Sequence, residues 1–267
     1  MQRILATDLD GTLIPLEGHS QNRSDLRTLA TLIETSGCTL VFVTGRHLAS
    51  VEDVRSQEEL PRPDWIICDV GTSIYHLNDA GVPMLVSQYA EHLGELCKTM
   101  SREHLVDMLA EVAGLRMQES EKQGPFKLSY YIEQTLLQDV ERQITTLLQR
   151  HEAPYSLICS VDPFNGDGLV DLLPQGVSKN FALAWWTEHV NAKRESILFA
   201  GDSGNDFAPL TAGYRGILVA NSPPDLADRI LSVHQDRNWI GRLFRATQQA
   251  TSGVLEGCQH FGLFAPT

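Results

Sequence analysis

Two carboxylates one residue apart, Asp8 and Asp10, close a short run suited to a buried strand, Ile4-Leu5-Ala6-Thr7. In an extended chain that spacing aims both side chains to one side. Gly11 then lets the backbone turn, and Thr12 brings a hydroxyl and an N–H suited to an oxyanion. Like charges so close repel unless a cation lies between them or one keeps a proton. A divalent metal meets that need. It leaves Asp8 as a nucleophile and Asp10 as a proton carrier, the division of labour that chemistry through an aspartyl-phosphate requires. A solvated loop after an edge strand also carries such pairs, so the pair alone does not decide.

Three later stretches supply what this chemistry would need. The apolar run 38–43 ends in Thr44-Gly45-Arg46, a hydroxyl, a flexible backbone and a guanidinium. In open parallel sheets ligands bind at that end of a strand, although a cap with a surface arginine reads the same way. Ser178 suits the N-cap of a helix carrying Phe181, Leu183 and Val190, with Lys179 in its first turn. A cation opposes the helix dipole there, so its ammonium is expected to serve an anion or carboxylate nearby rather than solvent. Finally Ile197-Leu198-Phe199-Ala200 runs into Gly201-Asp202-Ser203-Gly204-Asn205-Asp206. A second acidic loop after a second buried strand is how a metal site built from neighbouring strand ends looks in sequence.

The elements that must hold these residues alternate between strand and helix. A helix over 24–37 places Leu26, Leu29, Ala30 and Ile33 on one face, with Gly37 as its cap. Strands are predicted at 38–43 and 65–68, a helix at 48–57, and a hairpin from residue 70 with its turn at 78–81. After Pro83 the pattern changes to two helices over 86–113 and then to strands at 115–119, 126–133, 155–161 and 169–173. A helix carrying Val140, Ile144, Leu147 and Leu148 interrupts them. Alternation returns after Pro174, with a last strand at 217–220 and helices at 224–231 and 240–255. The fold class is therefore α/β: a Rossmann-like, mostly parallel core over 1–82 and 173–267, with an inserted α+β domain over 83–172.

A chain of 267 residues, 42% of them hydrophobic, can bury one large core or two unequal ones. The net charge of -13 argues against general affinity for nucleic acid or an anionic membrane, which needs basic surface. No apolar run approaches membrane-spanning length and no signal peptide opens the chain, so the cytoplasm is the expected location. Cys38, Cys68, Cys97, Cys159 and Cys258 are odd in number and far apart, and buried thiols are expected. The nine histidines show no zinc-ligand spacing.

Taken in order, Asp8-Leu9-Asp10-Gly11-Thr12, Thr44-Gly45-Arg46, Lys179 and the loop 201–206 resemble the four motifs of the haloacid dehalogenase-like phosphatases. The insertion resembles their α/β cap. Residues 123–131, Val70-Gly71-Thr72, 173–176 and 257–261 resemble the sucrose-phosphate phosphatases and related sugar phosphatases. The resemblance implies that Asp8 attacks phosphorus and Asp10 moves the protons. It implies Mg²⁺ held by Asp8, Asp202 and the Asp10 carbonyl, with Asp206 in support. Thr44, Gly45, Lys179 and Asn205 would bind phosphate, and Arg46, Gly71, Thr72, Gln123, Lys127, Ser129 and Tyr131 the sugar phosphate.

The implied substrate is sucrose 6-phosphate. Ser73 stands where the sugar-phosphatase pattern has Glu, and Asn180 where it has Gly, which keeps mannosylfructose phosphate as an alternative. A sugar-phosphate-forming glycosyltransferase is a further implied partner. A phosphomutase would share the aspartyl-phosphate. A catalytically silent module bound to a glycosyltransferase is the reading of another class, and the intact Asp8, Asp10, Lys179 and Asp202 count against it, since clustered carboxylates are costly.

Overall fold

The computed structural model describes residues 3–161 and 166–264, and the chain divides into two compact units, Met1–Leu85 with Ser178–Thr267, and Val86–Val177. In chain order the first unit begins with β1 (Ile4–Thr7), α1 (Ser20–Ser36), β2 (Thr39–Val43), α2 (Leu48–Gln57), β3 (Trp65–Cys68), β4 (Ser73–Leu77) and β5 (Pro83–Leu85). The second unit holds α3 (Ser87–Leu96), α4 (Arg102–Leu109), β6 (Arg116–Met117), β7 (Leu128–Ile132), α5 (Leu137–Arg150), β8 (Tyr155–Val161) and β9 (Gly168–Pro174). The first unit then resumes with α6 (Lys179–His189), β10 (Ile197–Gly201), α7 (Phe207–Leu210), β11 (Arg215–Leu218), α8 (Pro224–Asp236), β12 (Leu243–Arg245) and α9 (Ala250–His260).

The core sheet runs β12-β11-β10-β1-β2-β3-β4-β5, parallel from β12 to β3 and antiparallel beyond. Its central strands are apolar almost throughout, as expected of strands covered on both faces. Ile4, Leu5 and Ala6 of β1, and Leu40 to Val43 of β2, are fully buried. β1 lies between β2 and β10, so Asp8, Thr44 and Asp202 emerge from three adjacent strands at the same edge. This is the mostly parallel core with an inserted, antiparallel second sheet that the alternation of elements predicted.

The second sheet, β6-β7-β9-β8, is antiparallel throughout. Leu128, Tyr130 and Ile132 of β7 pack with Val170 and Leu172 of β9, Val140 and Ile144 of α5, and Leu105 and Leu109 of α4. One face of the sheet is thereby closed by helices.

Several boundaries differ from the sequence expectation. α1 starts at Ser20, and Gly37 closes it with a left-handed backbone whose N–H donates to Glu34 and Ile33. β7 starts at Leu128, not at 126, because Gly124 and Lys127 pair across a tight turn. The last strand is β12, paired in parallel with β11, where the sequence predicted a helix from residue 240. Three residues are too few to show a strand's alternation, so their pairing comes from the neighbouring strand rather than from local pattern. The helix follows, at Ala250–His260. Cys159 is only half-buried, whereas the other four cysteines are buried, and all five are free thiols. Among the described residues no helix is long and apolar enough to cross a membrane.

Candidate active site

Asp8 follows β1 directly, and its backbone N–H donates to the Ala200 carbonyl, tying the first acidic loop to β10. Its Oδ1 accepts from the Leu9 N–H at 2.8 Å. The carboxylate is buried, and Lys179 Nζ meets it at 2.9 Å from Asp8 Oδ1. The same ammonium donates to Asp206 Oδ1 at 2.9 Å and Asn205 Oδ1 at 2.9 Å. Ser178 caps α6 by accepting from the Phe181 N–H, so Lys179 occupies the first turn, where the dipole disfavours a cation. Two carboxylates offset that cost, which is the role the sequence assigned to it.

Asp202 stands across the loop. Its Oδ1 accepts from Thr12 Oγ1 at 2.9 Å, and its backbone N–H donates to Asp206 Oδ2. Gly11, at φ +71, packs directly on this carboxylate; a Cβ there would lie 2.5 Å from Asp202 Oδ2. A side chain at position 11 would therefore displace the Asp202 carboxylate, and its backbone would be strained at φ +71. Asp206 is an organiser of its own loop, its Oδ2 accepting from Ser203 N–H and Ser203 Oγ as well.

Oxygens of Asp8, Asp202 and Asp206 lie within 4.8 Å of one another. Burial, and then the charge of Asp206, holds the Asp8 carboxyl well above the ordinary range against the opposing pull of Lys179. Asp202 is pushed up to about 6, chiefly by burial. For Lys179, burial works against its charge, but Asp8 and Asp206 outweigh it and its pKa is raised. Three acids and one ammonium leave negative charge uncompensated in a buried place. Hard carboxylate oxygens in that state fit a divalent cation. Asp8 and Asp202 are the pair placed to hold one, while both oxygens of Asp206 already accept hydrogen bonds.

The remaining expected residues fall into two groups. In the core unit, Thr44 is fully buried at the end of β2, and its Oγ1 accepts from the Arg46 N–H at 3.2 Å across Gly45. Arg46 reaches the Asp10 carboxylate with two donors, at 2.8 and 2.6 Å. Asp10 is thus paired outside the Asp8, Asp202 and Asp206 cluster. Gly71 is a packing device: at φ +101 it lies against α6, where a Cβ would meet the Ser178 carbonyl at 2.3 Å. Thr72 turns its hydroxyl to the Asp69 carbonyl at 3.0 Å.

In the second unit, the Gln123 amide bridges the Ser129 N–H, the Ser129 carbonyl and the Gln118 carbonyl. Ser129 Oγ donates to Asp171 Oδ1, and Lys127 Nζ is 4.0 Å from the same oxygen. Tyr131 donates to Glu119 and accepts from Lys122. Sequence reasoning missed Asp171, although a lone acid in the apolar strand Leu169-Val170-Asp171-Leu172-Leu173 was a readable sign. It also missed Asn221, whose Nδ2 donates to the Gly11 carbonyl while its Oδ1 accepts from Ala250. Nothing in the sequence marks that residue.

The family model described as sucrose-6F-phosphate phosphohydrolase matches residues 1–262. A protein of Nitrosococcus oceani named as a HAD-like hydrolase is 34% identical over 97% of this chain and 71% of its own length. The mannosylfructose-phosphate phosphatase of Agrobacterium fabrum is 29% identical over 98% of this chain and 97% of its own. Among solved structures, the sucrose-phosphatase of Synechocystis in complex with sucrose and phosphate superposes with a TM-score of 0.71. It is 26% identical and the match covers 97% of this chain and 98% of that one.

Proposed function

The chain belongs to the sucrose-6F-phosphate phosphohydrolase family, and from that premise we propose that it hydrolyses a disaccharide phosphate, sucrose 6-phosphate in the first place, to the free sugar and phosphate. It is a haloacid dehalogenase-like sugar-phosphate phosphatase, a phosphoric monoester hydrolase. The observation that carries the reading is the buried Asp8 carboxylate, held by Lys179 at 2.9 Å beside the Asp202 carboxylate.

Asp8 attacks phosphorus and forms the aspartyl-phosphate while Asp10 gives a proton to the departing sugar oxygen. Asp10 then takes a proton from the water that attacks the same phosphorus, and the bond to Asp8 breaks. Lys179 and Thr44, with Gly45 and Asn205 shaping the loops, face the phosphoryl oxygens, whose charge must be matched in the transition state. Mg²⁺ is the divalent ion proposed for Asp8, Asp202 and the Asp10 carbonyl, and when bound it supplies charge neutralisation at those oxygens. Gly71 and Thr72 in the core unit, and Gln123, Lys127, Ser129 and Tyr131 in the insert, are proposed to read the sugar.

The relative from Agrobacterium supports mannosylfructose phosphate as the second substrate, and Ser73 and Asn180, where the sugar-phosphatase pattern differs, count against sucrose as the sole candidate. A phosphate-release screen over disaccharide and monosaccharide phosphates tests the reading. Sucrose 6-phosphate is expected to give the highest kcat/KM. Preference for a monosaccharide phosphate would refute it.

A further inference from the structure

All three nitrogens of the Arg46 guanidinium are hydrogen-bonded. One edge donates to both oxygens of Asp10, Nε to Oδ2 at 2.8 Å and Nη2 to Oδ1 at 2.6 Å. The remaining nitrogen, Nη1, donates to Ser50 Oγ at 2.8 Å, in the first turn of α2. The main chain is tied as well: Arg46 N–H donates to Thr44 Oγ1, and the Arg46 carbonyl accepts from the Asp69 N–H at 2.8 Å. A fork held this way fixes both the plane and the rotamer of the carboxylate it grips.

The pair is not there for stability. Its side chains are 29% and 56% exposed, and an ion pair so open to water contributes only about 0–1 kcal/mol. The two aspartates differ sharply in how they are held. Asp8 is buried, fixed by the Leu9 N–H and by Lys179. Asp10 is mostly exposed, and among the described residues the hydrogen bonds to its carboxylate come from Arg46.

We infer that Arg46 is a positioning residue for Asp10 rather than a grip on the sugar phosphate. The inference rests on the proposed acid and base role of Asp10. One carboxylate has to serve two successive places: the oxygen leaving phosphorus in the first step, and the water approaching it in the second. Small displacements of such a group are costly to rate, and a carboxylate mostly in water has no packing to hold it. Ser50 braces Arg46, and Arg46 braces Asp10.

Two substrates separate this role from substrate binding. A sugar leaves as a poor alkoxide and needs the proton from Asp10 in the first step. The p-nitrophenolate of p-nitrophenyl phosphate leaves without one, so only the hydrolysis of the aspartyl-phosphate still needs Asp10. In Arg46→Met, kcat for sucrose 6-phosphate is expected to fall roughly ten- to hundredfold with KM within about threefold. With p-nitrophenyl phosphate, a rapid-mixing trace should gain a burst of nitrophenol stoichiometric with enzyme, followed by a slow steady state. Asp10→Asn should give the same pattern, and Arg46→Lys, which keeps the charge without the fork, an intermediate one. A KM increase at unchanged kcat would make Arg46 a substrate ligand and overturn the inference, as would no change in either variant. If Asp10→Asn is itself fully active, the acid and base reading has failed first. If Asp10→Asn shows the burst and Arg46→Met does not, only the positioning role has failed.

Discussion

Lys179 Nζ lies 2.9 Å from Asp8 Oδ1, with the two side chains 1% and 5% exposed. A buried ion pair is maintained against the desolvation of both partners, so it is weak evidence of stabilisation and strong evidence that removing one partner is damaging. Here the lysine serves a second buried carboxylate, Asp206, as well. The loops after β1 and β10 therefore meet on a single ammonium.

Lys179→Met leaves Asp8 and Asp206 without that counter-charge. Urea unfolding of the metal-free protein is expected to show a loss of about 3–5 kcal/mol at neutral pH. Phosphatase activity should fall by roughly a hundredfold or more, because the same ammonium is proposed to meet the phosphoryl oxygens. Wild-type stability in the variant would mean that the pair seen here does not persist in solution.

Metal binding and pH are linked through the same carboxylates. Burial holds Asp202 at about 6 and Asp8 well above its ordinary value. A carboxyl whose folded pKa is raised contributes stability below its unfolded pKa, about 4, and loses it as pH rises through the folded value. In the metal-free protein Asp202 therefore works against stability above about pH 6, and Asp8, raised well above its ordinary value, adds to this in the same direction. A divalent cation needs them ionised, so the rise in Tm on adding Mg²⁺ is expected to be larger near pH 7.5 than near pH 5. Thermal melts with and without Mg²⁺ at the two pH values check this. An equal rise at both would place the cation elsewhere.

The core and its acidic loops were legible from sequence for a definite reason. Strands covered on both faces read as apolar runs, and the residue types that follow each run announced what they had to do. Lys179 stood out because a cation in the first turn of a helix needs an explanation, and Asp8 and Asp206 supply it. What stayed hidden depends on partners distant in sequence. Leu243–Arg245 is a strand because β11 lies beside it, and Arg46 turns to Asp10 across a separation of 36 residues. In the stretch 126–131 Lys127, Ser129 and Tyr131 alternate with Phe126, Leu128 and Tyr130, whereas the turning of Ser129 and Lys127 toward Asp171 follows only from the pairing of β7 with β9.

Specificity gives a separate expectation for the insert. Lys127 and Ser129 converge on Asp171, and that cluster is proposed to meet the sugar. A hydrogen bond from a charged group contributes about 1.5–3 kcal/mol. Lys127→Met is therefore expected to lower kcat/KM for a disaccharide phosphate by roughly ten- to a hundredfold while leaving p-nitrophenyl phosphate almost untouched. Equal losses on both substrates would point to folding, and no loss on either would remove the sugar contact from this strand.

The central claim is that Asp8 carries the phosphoryl group. Its most direct measurement is an acid quench of Asp10→Asn during turnover of p-nitrophenyl phosphate in Mg²⁺, followed by peptide mass spectrometry. Slowed hydrolysis should let the aspartyl-phosphate accumulate, with the added phosphoryl mass on the peptide containing Asp8 and absent from Asp8→Asn. A phosphoryl group on any other residue, or undiminished phosphate release by Asp8→Asn, would contradict it.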